Sequence, residues 1–165
     1  MLFLDINSGD FMKDITEKII EINFNQLKDL KLEFNKKIGL IIYLNDVKYD
    51  FILNLKKSNK LIILGSGTIG FKKFDKSRPY FERHSWNFEY SAIYYNDPTY
   101  YVDDSITGGW GIGTEDDYYL KNISKILKIL ISKLNIDNAN VLCYGSSAGG
   151  LHRYYCPYLL KILWH

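Results

Sequence analysis

The chain has 165 residues, enough for one ordinary domain with a hydrophobic core. Hydrophobic residues make up 47% and charged residues 24%, a balance that excludes an intrinsically disordered chain. The net charge is only +2 and the lysines are spread rather than gathered in a stripe, so charge alone points to neither nucleic acid nor an anionic membrane as a partner.

Residues 1 to 37 carry the weakest pattern. Ile15, Ile19, Ile22 and Gln26 fall on one face of a possible helix between Asp10 and Leu30, although Asn23, Asn25 and Asn35 oppose it. This part reads as an appended N-terminal segment, and residues 38 to 165 as the main domain. Gly39 to Leu44 reads as a strand, Asn45-Asp46 as a turn and Val47 to Leu53 as a second strand. Lys60 to Leu64 is a third strand, continuously apolar as a strand buried on both faces should be. Ser91 to Tyr95 is a fourth, ended by Asn96-Asp97-Pro98, and Ala139 to Tyr144 is a fifth. Between the last two, Thr114 and Asp117 resemble a capping-box start. Tyr119, Ile123, Ile126, Leu127, Leu130 and Leu134 then recur at helical spacing. Lys121, Lys125, Lys128 and Lys133 take the other positions, so this helix covers one face of a sheet.

The fifth strand runs into Tyr144-Gly145-Ser146-Ser147-Ala148-Gly149-Gly150, which contains Gly-x-Ser-x-Gly centred on Ser147. That spacing after a strand is a nucleophile elbow, a tight strand-to-helix turn that lifts the serine oxygen above the sheet. Its glycines allow backbone to approach where a side chain would not fit. Ser147 is the nucleophile candidate, and the backbone N–H of Ala148 is one oxyanion donor. The second donor is expected after the third strand, in Gly65-Ser66-Gly67-Thr68-Ile69-Gly70, with Ser66 and Gly67 as candidates. A hairpin feeding a mostly parallel sheet with crossover helices, with the elbow after the fifth strand, predicts the N-terminal part of an α/β-hydrolase-like fold.

Gly65 to Gly70 also matches Gly-x-Gly-x-x-Gly, the dinucleotide fingerprint. That fingerprint needs a helix starting at the glycines, and Pro79 interrupts one here. Nor does an acidic residue close a second strand at the expected distance of about 20. The expectation is no cofactor and no metal.

Several further motifs lie in order along the middle of the chain. They are Arg78-Pro79-x-Phe81-x-Arg83-x-Ser85-Trp86, Asp97-Pro98-Thr99, Gly109-Trp110-x-Ile112-Gly113-Thr114 and Tyr144-Gly145-Ser146-Ser147-x-Gly149-Gly150. Over about residues 60 to 150 this set resembles the capsular-polysaccharide biosynthesis proteins of XcbB/CpsF type, relatives of the α/β-hydrolase-like acetyltransferase of the accessory Sec system. The resemblance implies serine acyl-transfer machinery acting on a bacterial surface glycan or glycoprotein. It also implies protein partners in a biosynthetic or secretion complex.

Arg78 and Arg83 have two readings: binding an anionic substrate, or pairing with Asp97, Asp103 or Asp104 at the sheet's edge. Trp110 among glycines either lines a sugar site or packs over the end of the sheet. Asp103-Asp104 and Asp116-Asp117 read as loop and helix-start charges rather than a cation site. Only Cys143 and Cys156 are present, too few for a disulfide framework, and Cys143 reads as a buried free thiol. Met1 to Asp5 does not resemble a signal peptide, and no segment has the roughly 18 apolar residues of a membrane span. The reading is a cytoplasmic protein without a membrane span.

A serine nucleophile needs a base, which in this fold follows the serine in the chain. The histidines are His84, which precedes it, His152, five residues beyond it on a diverging helix face, and the terminal His165. None is a convincing base, and Pro157 breaks the helix after the elbow early. The expectation is a chain shortened after the elbow and impaired in turnover. The alternative is a non-catalytic hydrolase-like partner or scaffold.

Overall fold

The structure, a computed structural model, describes residues 8–68, 78–103, 105–106 and 108–145. It is a mixed α/β protein with one six-stranded sheet of order β1-β2-β3-β5-β4-β6. The strands are β1 (Lys18–Asn23), β2 (Lys37–Leu44), β3 (Val47–Asn54), β4 (Leu61–Gly65), β5 (Ser91–Tyr95) and β6 (Val141–Tyr144). The helices are α1 (Ser8–Ile15) and α2 (Tyr119–Leu134).

Strands β1 and β2 pair in parallel, as do β4 with β5 and β4 with β6, while β3 runs antiparallel to both its neighbours. The β2–β3 hairpin turns at Asn45 and Asp46, both at positive φ (52° and 59°). Two such residues in a row give the primed turn whose twist matches that of the strands it joins.

Alternation along the strands divides the core into two layers. Leu40, Ile42, Phe51, Leu53, Leu61, Ile63, Ile93 and Cys143 face α2, whose Ile123, Ile126, Leu127 and Leu130 cover them. Ile41, Ile52, Ile62, Leu64, Ala92 and Tyr94 face the other way, against Met12 of α1 and Phe81. Each fully buried Leu or Ile contributes about 1.5–3 kcal/mol, so the face of α2 holds it to the sheet more firmly than helix propensity does. Cys143 is a buried free thiol, as its place in β6 suggested.

The sequence reading is corrected in two places. Residues 18 to 23 are not helical: they form β1 and extend the sheet beyond the hairpin. Their β-branched Ile19, Ile20 and Ile22 suit a strand, and parallel pairing to β2 outweighs the weak helical spacing. The second correction concerns the start of α2. Thr114 Oγ1 does accept the Asp117 N–H, at 3.2 Å, but that turn precedes the helix, whose N-cap is Tyr118.

The connections around β4 set the site. From β4 the chain passes to β5 on one side, whereas β6 lies on the other side of β4. The strand order therefore reverses at β4, and in an open sheet of this kind ligands bind outside the carboxyl ends of the strands at such a point. Gly65 to Thr68 follow β4 there, and Gly145 follows β6.

Candidate functional site

Ser147 and Ala148 lie outside the described residues, as do His152 and His165. The strand that leads to the Gly-x-Ser-x-Gly motif is described. Leu64 of β4 stands in register with Tyr144 of β6, so Ser66 and Gly67 and the residue before the motif's serines follow adjacent strands at the same end of the sheet.

Ser66 is buried, and its hydroxyl is within hydrogen-bonding reach of two carbonyls, that of Tyr80 and, at 3.1 Å, that of Tyr95. Its side chain thus anchors the loop, and any oxyanion role would fall to backbone. The Gly67 peptide is gripped at both ends. Its N–H donates to Glu82 Oε2 at 3.0 Å, and its carbonyl accepts the Tyr100 hydroxyl at 2.7 Å. Burial pushes the Tyr100 phenol far above its ordinary value, with the nearby Asp97 charge adding to it, so Tyr100 stays a donor.

Arg83 reaches the same place from the loop between β4 and β5. Its Nη2 pairs with Glu82 Oε1 at 2.7 Å, an acid not among those the sequence reading named for it. Its guanidinium carbon stands 5.3 Å from the Trp86 ring centre and 5.1 Å from that of Tyr144, within cation–π range of both. The two rings are themselves 6.2 Å apart and tilted by 47°. Arg83 has φ +63°, an uncommon backbone for a side chain of its size, and its carbonyl accepts the Trp86 N–H at 2.9 Å. Arg78 is exposed, and its carbonyl is 3.5 Å from the Tyr101 hydroxyl.

Asp97 organises the loop that carries Trp110. Its buried carboxylate accepts the Thr99 N–H at 2.9 Å and the Gly111 N–H at 2.7 Å. A Cβ on Gly109 would stand 2.6 Å from Asp97 Oδ2, so only glycine lets that backbone pass. Trp110 is thereby held at φ +50° with 45% of its surface exposed, at the same end of the sheet as Thr68. A Cβ on Gly108 would meet both Thr68 and the Trp110 ring.

Asp50 was not among the sequence candidates. It lies on β3 beside Asn96, whose N–H donates to the Asp50 carbonyl at 3.0 Å. Its carboxyl is buried, and Oδ1 has no hydrogen-bond partner among the described residues; Lys48 Nζ is 3.7 Å away. Burial, only partly offset by Lys48 and Asn96, raises its pKa from 3.8 to about 6. A carboxylate interrupting a strand with apolar neighbours was the available signal.

His84 is the one histidine among the described residues. Burial and then the Lys37 charge lower its pKa, and its carbonyl accepts Lys37 Nζ at 2.9 Å. Lys37 begins β2, at the opposite end of the sheet from the carboxyl ends. Among the described residues no group of three or more His, Cys, Asp or Glu could hold a metal ion. None of the described helices is long and apolar enough to cross a membrane.

Compared with protein families, curated proteins and solved structures, the chain matches none of them.

Proposed function

We propose that this chain belongs to an α/β-hydrolase-like domain performing acyl transfer or ester hydrolysis on a bacterial surface glycan or glycoprotein. Ser147 is the nucleophile, with the Ala148 N–H and, once Glu82 releases it, the Gly67 N–H as oxyanion donors. One observation carries the reading: the loop at Ser66-Gly67 and the strand entering Gly-x-Ser-x-Gly start from the carboxyl ends of adjacent parallel strands, where the strand order reverses. The order β3-β5-β4-β6, with β3 alone reversed after a hairpin, supports the hydrolase-like assignment.

In this mechanism the Ser147 oxygen attacks the ester carbonyl, the proton passes to a base, and the alcohol leaves to give an acyl-serine. A sugar hydroxyl or water then takes the acyl group. Trp110 and Arg83 line the approach from the loops beside β4. His84 precedes the serine in the chain, against the order this fold uses for its base, so the reading predicts acylation without rapid turnover. With p-nitrophenyl acetate, p-nitrophenol should appear in a burst of about one equivalent per chain. The burst should be missing in Ser147→Ala; equal release by both proteins rejects the nucleophile.

A second reading, a non-catalytic hydrolase-like partner or scaffold in a glycan-assembly or secretion complex, draws on β6. Leu142 is 56% exposed on a strand at the edge of the described sheet, a surface that invites association. A monomer by light scattering at all accessible concentrations counts against it.

A further inference from the structure

The Gly67 amide and the Arg83 guanidinium converge on one anion, and the chain itself supplies it. Glu82 places one carboxylate oxygen 3.0 Å from the Gly67 nitrogen and the other 2.7 Å from Arg83 Nη2. A backbone N–H and a guanidinium converging on two oxygens of one group is how proteins hold carboxylates and phosphates. The Trp86 and Tyr144 rings steady the guanidinium, and Tyr144 closes the strand that leads to Gly145. Arg83 keeps a backbone conformation unfavourable for arginine, and such strain collects where a side chain must be aimed. The cluster sits at the carboxyl ends of β4 and β6, where the strand order reverses and a ligand is expected. Glu82 is replaceable there. Its side chain is 23% exposed against 13% for Arg83, so the carboxylate can swing into solvent without opening the core.

We propose that the Gly67 amide and Arg83 form a receptor for a small oxyanion group, a carboxylate or phosphate, that Glu82 fills internally until an external anion displaces it. Glu82 is then a competitor built into the site. The anion belongs to the incoming ligand, and its binding frees no group of the core. The proposal stands on Gly67, Glu82 and Arg83 alone, and a chain in which Ser147 proves inert would leave it intact.

The test titrates the full chain and its Glu82→Gln variant with inorganic phosphate and, separately, with acetate. Gln keeps the size of the side chain and an acceptor for the Gly67 amide while removing the charge that faces Arg83. The readouts are the NMR shifts of the Gly67 amide and the Arg83 Nε–H, with tryptophan emission alongside. Phosphate or acetate should move both signals with an affinity at least about tenfold tighter in Glu82→Gln than in the unsubstituted chain. Adding Arg83→Lys, which removes the planar fork, should abolish most of the gain. The anion that gains more identifies the oxyanion class. Equal affinities in the two proteins overturn the proposal, as does a folded Glu82→Gln variant in which neither signal moves. Should Glu82→Gln lose its dispersed amide spectrum, Glu82→Asp, one methylene too short to span both donors, must show the same gain or the idea fails.

Discussion

Replacing Asp50 with Asn should stabilise the protein at neutral pH and leave it unaffected in acid. The carboxyl is buried on β3, with Lys48 Nζ 3.7 Å away and Oδ1 lacking a hydrogen bond among the described residues. Burial raises its pKa from 3.8 to about 6. At about 1.4 kcal/mol per pH unit, the ionised group costs the fold about 3 kcal/mol. In strong acid both folded and unfolded chains hold the proton, and the site costs nothing on this account. As pH climbs past the ordinary carboxyl range, the unfolded chain ionises while the folded chain keeps its proton, so stability falls. Above the folded pKa both are ionised and the loss is complete. Asn has no such window. Urea unfolding of both proteins from about pH 4 to about pH 8 isolates Asp50, because the other carboxylates cancel in the difference. The variant should gain about 3 kcal/mol relative to the unsubstituted chain across that range. A difference that stays flat, or one that grows in favour of Asp50 as pH rises, would show that the ionised carboxylate is well satisfied and would refute the reasoning.

Two further substitutions probe the loop that carries Trp110. Asp97→Ala removes a buried acceptor from the Thr99 and Gly111 N–H groups and should cost about 3 kcal/mol or more in urea unfolding, with a red shift in tryptophan emission. Asp97→Asn keeps one oxygen and should fall between; indistinguishable variants would mean the two bonds do not share the load. Gly113→Ala should cost roughly 1–3 kcal/mol from its backbone alone. Gly113 has φ +77°, and a Cβ there would meet the Asp117 carbonyl and stand 2.7 Å from Tyr119 Cδ1. An unchanged thermal midpoint would show that the turn before α2 relaxes freely.

The strands from β2 onward and α2 were legible because their patterns admit one periodicity. The Asn45-Asp46 turn marks the hairpin, Leu61 to Leu64 is apolar without a break, and the α2 lysines alternate with a buried stripe. Residues 18 to 23 were not, since Ile15, Ile19 and Ile22 suit a helix while Ile20 and Ile22 suit a strand. Only pairing with β2, which local sequence does not encode, decides between them. At the site, the loop that follows β4 was legible as a break after an apolar strand, through Gly65-Ser66-Gly67. The hook from Glu82 to the Gly67 amide joins residues fifteen apart in sequence and has no periodic signature. The hold of Asp97 on the Thr99 and Gly111 amides was not legible either, because a buried carboxylate serving backbone amides looks in sequence like any surface acid. Both are tertiary facts, set by where loops meet over the sheet.

The central claim is that Ser147 is an activated serine at the end of β6. The most direct measurement is labelling of the folded chain with a serine-directed fluorophosphonate, mapped by peptide mass spectrometry against Ser147→Ala. The account predicts one labelled site, Ser147, lost in the variant and abolished by unfolding in urea. Absence of label from the folded chain, or equal labelling of the variant, would contradict it.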